Sequence, residues 1–180
     1  MDGVVACRLV GQFEQRELAL VAAARRLAAH PDILLDHIGA PLDPALGEAA
    51  LALQAECPAY RWLGALPHGQ TRRRIQAAHV LVHPSRMEGG AHVVIEALRS
   101  GTPVLASRID GNLGLLGPDY PGYVPPGDDQ ALAAQLLRLR TEQGLLAAWT
   151  QAAVDRAWRF APEHERATLM ALVAGLLPKG

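Results

Sequence analysis

Short apolar runs alternate along the chain with longer segments whose apolar residues recur at helical spacing. The runs that predict strands or extended pieces lie at 4–10, 33–38, 60–63, 80–82, 104–107 and 122–124. The helical spacing predicts helices at 14–29, 44–57, 71–78, 91–99, 130–140, 142–159 and 163–177, with a short turn or helix at 110–117. Strands that alternate with helices form a mostly parallel sheet with right-handed crossovers. We therefore predict one doubly wound α/β domain with extra helices at its C-terminal end.

Turn and capping residues set several of the predicted boundaries. Gly11 follows the first apolar run, so we expect that strand to end there in a turn. Asp43 precedes Pro44, which is typical of a helix N-cap followed by a first-turn proline. Asp128 ends a Pro-Pro-Gly-Asp sequence and is expected to cap the helix at 130–140.

The segment 80–101 joins a strand, a glycine-bearing loop and a helix, and another strand follows at 104–107. Gly89 and Gly90 directly precede the predicted helix, so bare backbone N–H groups gather at the positive end of its dipole, where phosphate binds well. Glu88 and Glu96, eight positions apart, lie on either side of these groups. In a βαβ unit the ligand site lies beyond the carboxyl ends of the strands. We therefore expect a phosphate-bearing ligand at this loop.

Composition narrows the class of protein. The chain has 180 residues, of which 50% are hydrophobic and 19% charged, and this fits one globular domain. The net charge of −1 gives no case for nucleic acid or an anionic membrane. No apolar run approaches the ~20 residues that cross a bilayer, and the N-terminus does not resemble a signal peptide, so we expect a soluble, cytoplasmic protein. Cys7 and Cys57 match no metal or redox spacing and are expected to be buried thiols.

The three tryptophans are expected to pack in the core or between helices. They are Trp62, Trp149 and Trp158.

The block at 84–107, PSRMEGGAHVVIEALRSGTPVLAS, resembles the donor-binding signature of the family-4 retaining glycosyltransferases, which have the GT-B fold. The matching residues are Pro84, Ser85, Glu88, Gly89, Glu96, Ala97, Gly101, Thr102, Pro103 and Val104. Upstream, the strand ending at Gly64 fits the same family, and downstream so does the segment at 122–128. The resemblance therefore covers the chain from about Tyr60 to its end.

The resemblance implies a single Rossmann-like doubly wound sheet, one half of a GT-B fold, that binds a UDP-sugar without a metal or other cofactor. Glu96 would bind the ribose, and Glu88, the candidate catalytic residue, would face the transferred sugar. Backbone N–H groups of His92 and Val93, in the first helical turn, are suited to the diphosphate. The donor-binding residues are then Ser85, Arg86, Glu88, Gly89, Gly90, Ala91, His92, Val93, Glu96 and Arg16.

The chain departs from the family pattern in two ways. A GT-B enzyme has two Rossmann-like domains, and residues 1–180 supply only the nucleotide-sugar half, so we expect the acceptor domain to be absent as a missing partner. The family also carries a lysine near its first strand, whereas Lys179 is the sole lysine here. Arg16 is our substitute for that diphosphate contact, with Arg8 the runner-up.

A narrower likeness concerns three runs, SRMEGGA, ASRIDGNLGLLG and DYPGY. They are similar to the selenosugar synthases of selenoneine biosynthesis, which join the sugar of a UDP-sugar to selenophosphate. The implied product is a selenosugar. Two other functions stay open: a stand-alone nucleotide-sugar-binding module without catalysis, and a fragment of a GT-B sugar-nucleotide epimerase.

Several residues near the loop allow two interpretations from sequence alone. His83 either contacts ligand or is a turn histidine satisfied by backbone. Arg86 either contacts phosphate or forms a structural pair. Asp110 and Asn112 follow a buried strand at its carboxyl end and line the site region, with or without ligand contact. The arginines at 72–74 are expected to form a solvated helix face. The apolar stripe of Leu169, Leu172, Val173, Leu176 and Leu177 either faces a missing domain or packs on the sheet.

Overall fold

The computed structural model describes residues 7–12, 18–41 and 43–176 of the 180-residue chain. Arg16, the candidate diphosphate contact, lies outside the described residues, as do Leu177 and the start of the first predicted strand.

The centre of the described structure is a six-stranded sheet in which all neighbouring strands run parallel. Its strands are β1 (Cys7–Gln12), β2 (Ile33–Ile38), β3 (Tyr60–Trp62), β4 (Val80–His83), β5 (Val104–Ser107) and β6 (Tyr123–Val124). They are ordered β3-β2-β1-β4-β5-β6. This is the strand order of a Rossmann-like sheet, and it confirms the predicted fold class.

Helices connect the strands and extend the chain beyond the sheet. In the described residues they are α1 (Leu18–Arg26), α2 (Pro44–Glu56), α3 (His68–Ala77), α4 (His92–Arg99), α5 (Asp110–Leu116), α6 (Asp129–Thr141), α7 (Leu145–Ala157) and α8 (Pro162–Leu176), with a 3₁₀ turn at Trp158–Phe160. None of these described helices combines the length and apolar character needed to cross a bilayer.

The prediction that the first strand ends at Gly11 is wrong. Gly11 pairs with His37 of β2 on one side and with Val82 of β4 on the other, and the strand continues to Gln12. A glycine costs a strand some conformational entropy. At Gly11 the strand has a partner on each side, so its backbone is fixed despite the missing side chain.

Apolar residues fill both faces of the sheet. Val80, Val82 and Leu105 belong to one core cluster, which includes buried residues of α1, α2 and α6. Leu81 and Val104 alternate with them and belong to a second cluster, which includes buried residues of α3 and α4. Since successive strand residues point to opposite faces, uninterrupted apolar runs are what a sheet covered on both sides requires.

Two predicted N-caps are confirmed. Oδ1 of Asp43 accepts a hydrogen bond from the Ala45 amide at 2.9 Å, and Pro44 is the first residue of α2. Oδ1 of Asp128 accepts from the Ala131 amide at 2.8 Å at the start of α6. Each cap satisfies a backbone N–H that has no partner within its helix.

The C-terminal boundaries differ from the prediction. Glu142 ends α6 instead of starting the next helix, because Gly144 adopts a left-handed conformation (φ 83°) and α7 begins after it. Trp149 is buried in the core as expected. Trp158 is 57% exposed and lies outside the core, but its ring packs edge-to-face on His164 of α8 with 4.7 Å between the ring centroids, as the helix-packing interpretation predicts.

The fold fixes where a ligand can bind. The chain moves outward from β1 in two directions, to β2 on one side and to β4 on the other. At such a switch point the loops that follow the two central strands diverge and leave a crevice beyond their carboxyl ends. The loop between β4 and α4, residues 84–91, begins at this crevice.

Candidate functional site

The loop after β4 leads directly into α4, as the sequence predicts. Val80–His83 is completely buried, and the chain then emerges so that Gly89 and Gly90 are exposed. Gly90 has a φ of 148°, which residues with a side chain rarely adopt. The second glycine is therefore required by the backbone path that turns the loop into the helix.

The N-terminus of α4 offers amides that have no hydrogen-bond partner among the described residues. Ala91 is the N-cap residue, and the first hydrogen bonds of the helix run from the amides of Val94 and Ile95 to its carbonyl. The amides of His92 and Val93 precede these bonds, as the first N–H groups of any α-helix do. Within the part of the chain that the structure describes, no side chain caps this end, and the first turn carries no acidic residue. These amides can therefore bind an anion without competition from a neighbouring carboxylate of the helix.

Glu88 lies in an open groove between the loop and the start of α5. The groove is lined by Arg86, Met87, Glu88, Ile109, Asp110 and Gly111. Gly111 packs so closely on Glu88 that a Cβ added to it would be 2.0 Å from the Glu88 carbonyl oxygen. The backbone of α5 thus supports Glu88 directly. The sequence places Asp110 at the site region, and the structure puts it in this groove.

Two residues before Glu88 shape the loop. The buried hydroxyl of Ser85 donates a hydrogen bond to the Met87 carbonyl at 3.2 Å, which stabilises the turn. The guanidinium of Arg86 lies against Gly127, where an added Cβ would be 2.7 Å from Nη2. Arg86 therefore holds a positive charge at the edge of the groove while it packs on the turn before α6.

Glu96 contacts α3, which the sequence did not indicate. Oε1 of Glu96 is hydrogen-bonded to Nε2 of His68, in the first turn of α3. Oε2 of Glu96 is buried and has no hydrogen-bond partner among the described residues. One carboxylate oxygen is thus oriented by protein, and the other keeps its full capacity to accept hydrogen bonds.

Sequence reasoning missed His68 because it started the helix at Thr71. The signal was present in Pro67, because proline fixes a φ that suits a helix start. A helix begun there would have put His68 in the first turn, one segment before the Glu88–Glu96 block.

His83 is the last residue of β4 and is almost completely buried. Its Nε2 is 4.0 Å from Oε1 of Glu88. Burial lowers the pKa of His83, although the nearby Glu88 carboxylate acts in the opposite direction. The ring is therefore neutral near pH 7. One of the two interpretations of His83 from sequence was that backbone groups satisfy its hydrogen-bonding capacity. That interpretation fails for Nε2, which has no partner among the described residues.

Other residues considered at sequence level take structural roles. Asn112 is buried, and its side-chain amide donates to the Ser107 carbonyl at 2.8 Å. Arg74 is not part of a solvated face, because it pairs with the buried Asp36 at 2.8 Å. Arg8 lies near the amino end of β1, about 13 Å of strand before Gln12. Its role as a diphosphate contact stays a prediction.

No cluster of three or more His, Cys, Asp and Glu residues suited to a metal ion occurs among the described residues.

Comparison with known proteins identifies the family. Residues 10–156 match the family described as glycosyl transferases group 1. The chain belongs to this family. TuaC of Bacillus subtilis (strain 168), named for a glycosyltransferase of teichuronic acid biosynthesis, is 38% identical to it over 80 residues. That match covers 44% of this chain and 21% of TuaC.

Solved glycosyltransferase structures have the same fold. The pneumococcal O-GlcNAc transferase GtfA, in complex with UDP and GlcNAc, superposes with a TM-score of 0.79 at 22% identity, over 97% of this chain and 37% of GtfA. Anabaena HepE, in complex with UDP and glucose, superposes with a TM-score of 0.73 at 20% identity, over 97% of this chain and 50% of HepE. The chain thus corresponds to one Rossmann-like half of a GT-B glycosyltransferase. The narrower resemblances, to family 4 and to the selenosugar synthases, stay predictions.

Proposed function

We propose that this chain is the donor-binding domain of a retaining glycosyltransferase and that it binds a UDP-sugar. The observation that carries the proposal is the uncapped N-terminus of α4, which follows Glu88 and two glycines at the switch point of the sheet. The role of each part follows from the three chemical groups of a nucleotide-sugar, namely a diphosphate, a ribose and a sugar.

The diphosphate is assigned to the amides of His92 and Val93. Two adjacent N–H groups at the positive end of a helix dipole bind an anion without a metal ion. Arg86 adds positive charge at the groove, and Arg16 is proposed as a further contact from the segment after β1. Together they would take the place of the lysine that the family uses.

The ribose is assigned to Glu96. An ionised carboxylate accepts charge-assisted hydrogen bonds from both hydroxyls of a ribose. Oε2 is buried and without a partner among the described residues, which costs free energy unless a ligand supplies a donor. His68 holds the opposite oxygen, so the carboxylate is already oriented before the nucleotide arrives.

The transferred sugar is assigned to Glu88 and the amides of Gly89, Gly90 and Ala91. The absence of Cβ atoms at Gly89 and Gly90 lets the sugar approach the backbone closely. Apart from the adjoining residues, no described residue lies within 4 Å of a Cβ added at either position. A carboxylate at this place would accept hydrogen bonds from sugar hydroxyls and stabilise positive charge that develops at the anomeric carbon.

The chemistry that these residues can supply is electrostatic and positional. During transfer the bond between the anomeric carbon and the diphosphate oxygen breaks, and the acceptor bonds to that carbon on the same face of the sugar. The negative charge on the departing UDP would be stabilised by the N-terminus of α4. The proposal requires no protein nucleophile and no metal ion.

We propose that an N-terminal acceptor domain packs against this domain in the complete enzyme. Helix α8 has no buried residue, and Leu169, Leu172, Val173 and Leu176 form an exposed stripe along one side of it. A second Rossmann-like domain that packs on this stripe would complete the GT-B fold. The stripe favours a two-domain transferase over a binding module that acts alone, because a stand-alone module would leave these side chains in water.

Selenophosphate is our candidate acceptor, and a selenosugar the candidate product. This assignment rests on the likeness of the runs at 85–91, 106–117 and 119–123 to the selenosugar synthases. Glu88 and Asp110 line the open groove beside the assigned sugar position, where an acceptor would approach.

Titration calorimetry of the 180-residue chain with UDP tests the donor assignment, with GDP and ADP as matched controls. In buffer that contains a chelator we expect weak binding of UDP and weaker binding of the other two nucleotides. Equal binding of all three, or none, would overturn the assignment. Binding that needs added Mg²⁺ or Mn²⁺ would overturn the metal-free mechanism.

A further inference from the structure

His83 has a buried ring nitrogen that the protein leaves without a partner. The residue is 1% exposed, and Nε2 has no hydrogen-bond partner among the described residues. The distance from Nε2 to Oε1 of Glu88 is 4.0 Å, which is too long for a direct hydrogen bond. Unsatisfied buried polar groups are rare in native proteins, and each one calls for a ligand, a water or a functional explanation.

One oxygen atom that enters between the two side chains can contact both of them. An oxygen about 2.8 Å from both Nε2 and Oε1 forms a triangle with the 4.0 Å separation and an angle of about 90° at the oxygen. A hydroxyl matches the two partners chemically, because it can donate its hydrogen to the carboxylate while it accepts one from an Nε2–H group. Neither partner would need to change its charge.

Burial lowers the pKa of His83 and so keeps its ring neutral. One of the two ring nitrogens then carries a hydrogen. A neutral ring with its hydrogen on Nε2 can donate that hydrogen to an oxygen between the two side chains.

We propose that Nε2 of His83 and Oε1 of Glu88 together bind one hydroxyl of the transferred sugar, which makes His83 a residue that selects the sugar. The inference rests on the proposed function, since it assigns Glu88 to the sugar half of the donor. It goes further in two ways. It adds His83 of β4 to the residues that bind the sugar, and it predicts that His83 contributes to binding of the sugar but not of the nucleotide.

The test compares three ligands by titration calorimetry: UDP, UDP-glucose and UDP-GlcNAc. The proteins are the full chain and its variants His83→Phe, which keeps an aromatic ring without a nitrogen, and His83→Gln, whose amide can donate from a similar position. His30→Phe is the matched control, because His30 is exposed at the turn after α1. Thermal unfolding of each variant reports whether it folds.

We expect the unmodified chain to bind at least one of the two UDP-sugars more tightly than UDP. His83→Phe should reduce that gain by roughly three- to tenfold, the size of one neutral hydrogen bond, while UDP binding is unchanged. His83→Gln should retain most of the gain, and His30→Phe all of it.

Three results would overturn the inference. His83→Phe could keep the full gain in affinity of the UDP-sugar over UDP, it could lose affinity equally for UDP and the UDP-sugar, or the unmodified chain could bind neither UDP-sugar more tightly than UDP. Failure of UDP itself to bind the unmodified chain would instead overturn the proposed function. If His83→Phe does not fold, ¹⁵N-histidine NMR of the unmodified chain replaces it. The ring signals of His83 should then shift with the UDP-sugar beyond their shift with UDP, and identical spectra would contradict the inference.

Discussion

Nε2 of His68 is hydrogen-bonded to Oε1 of Glu96, and this contact joins the first turn of α3 to the second turn of α4. His68 is mostly exposed, whereas Glu96 is largely shielded. The contact leaves the second, buried oxygen of Glu96 as the acceptor for a ribose. Since α4 also supplies the N-terminal amides, one helix would hold the ribose and the diphosphate in a fixed relation.

Replacing Glu96 should weaken UDP binding more than replacing Glu88. Glu96→Ala removes charge-assisted hydrogen bonds worth ~1.5–3 kcal/mol, so we expect about a tenfold to hundredfold loss by calorimetry. Glu88→Ala should leave UDP binding nearly unchanged and weaken only the UDP-sugar. A larger effect of Glu88→Ala on UDP would reverse the ribose and sugar assignments.

His68→Ala should weaken UDP binding about threefold, because the Glu96 carboxylate remains but is no longer held in one orientation. Its effect should vanish in the Glu96→Ala background, since the two residues act as a pair. Gln70→Ala, an exposed change on the same helix, is the control and should be neutral. Full additivity of the His68 and Glu96 changes would show that the contact does not serve binding.

Gly111→Ala should damage the site, whereas Gly114→Ala should not. A Cβ at Gly111 would be 2.0 Å from the Glu88 carbonyl oxygen, so the loop or α5 must shift. We expect weaker UDP-sugar binding and a loss of unfolding free energy of ~1–3 kcal/mol. At Gly114, in the same helix, an added Cβ meets no other part of the described structure within 4 Å. This control should be neutral or stabilising by ~0.5–1 kcal/mol. Equal effects would exclude close support of Glu88 by α5.

The buried carboxylate of Asp36 depends on two arginines. Arg61 Nε donates to its Oδ1 and Arg74 Nη1 to its Oδ2, both at 2.8 Å. Replacing both arginines by leucine removes both of these charge-assisted contacts from the buried carboxylate and should cost ~3–5 kcal/mol in urea unfolding. Asp36→Asn should cost less, because both arginines are partly exposed and can be hydrated. A greater cost for Asp36→Asn would contradict this asymmetry.

Stability should fall below about pH 6.5 partly because of His83. Burial lowers its pKa below the ordinary 6.5, so the unfolded chain takes up a proton before the folded chain does. The stabilisation is complete above about pH 6.5 and is lost as pH falls towards the folded-state pKa, by at most ~1.4 kcal/mol per pH unit. Urea unfolding between pH 7.5 and 5.5 should show a shallower slope for His83→Phe than for the unmodified chain. An unchanged slope would mean that His83 protonates equally in both states.

The sequence predicts the sheet well because its strands are buried on both faces. Ile33–Ile38 and Val104–Ser107 have the predicted bounds, since a mostly apolar run of strand length between turn residues leaves little choice. The end of β1 was wrongly predicted at Gly11. The sequence does not show that β1 has a neighbouring strand on each side, and these neighbours fix the backbone at the glycine.

The site is only partly visible in the sequence. The Glu88–Glu96 block could be found because its groups lie within one loop and one helix. His68 and Glu96 are 28 positions apart, and no local pattern reports their contact. The role of His83 could not be decided either, because whether a ring nitrogen is satisfied depends on the packing of several elements around it.

Backbone NMR of the ¹⁵N-labelled chain during titration with UDP tests the central claim most directly. The account predicts that the largest amide shifts fall on the loop and first turn of α4, at His92 and Val93 above all, and that Glu96→Ala weakens the binding without moving the site. Shifts centred elsewhere, such as on α8, with the amides of His92 and Val93 unaffected, would contradict it.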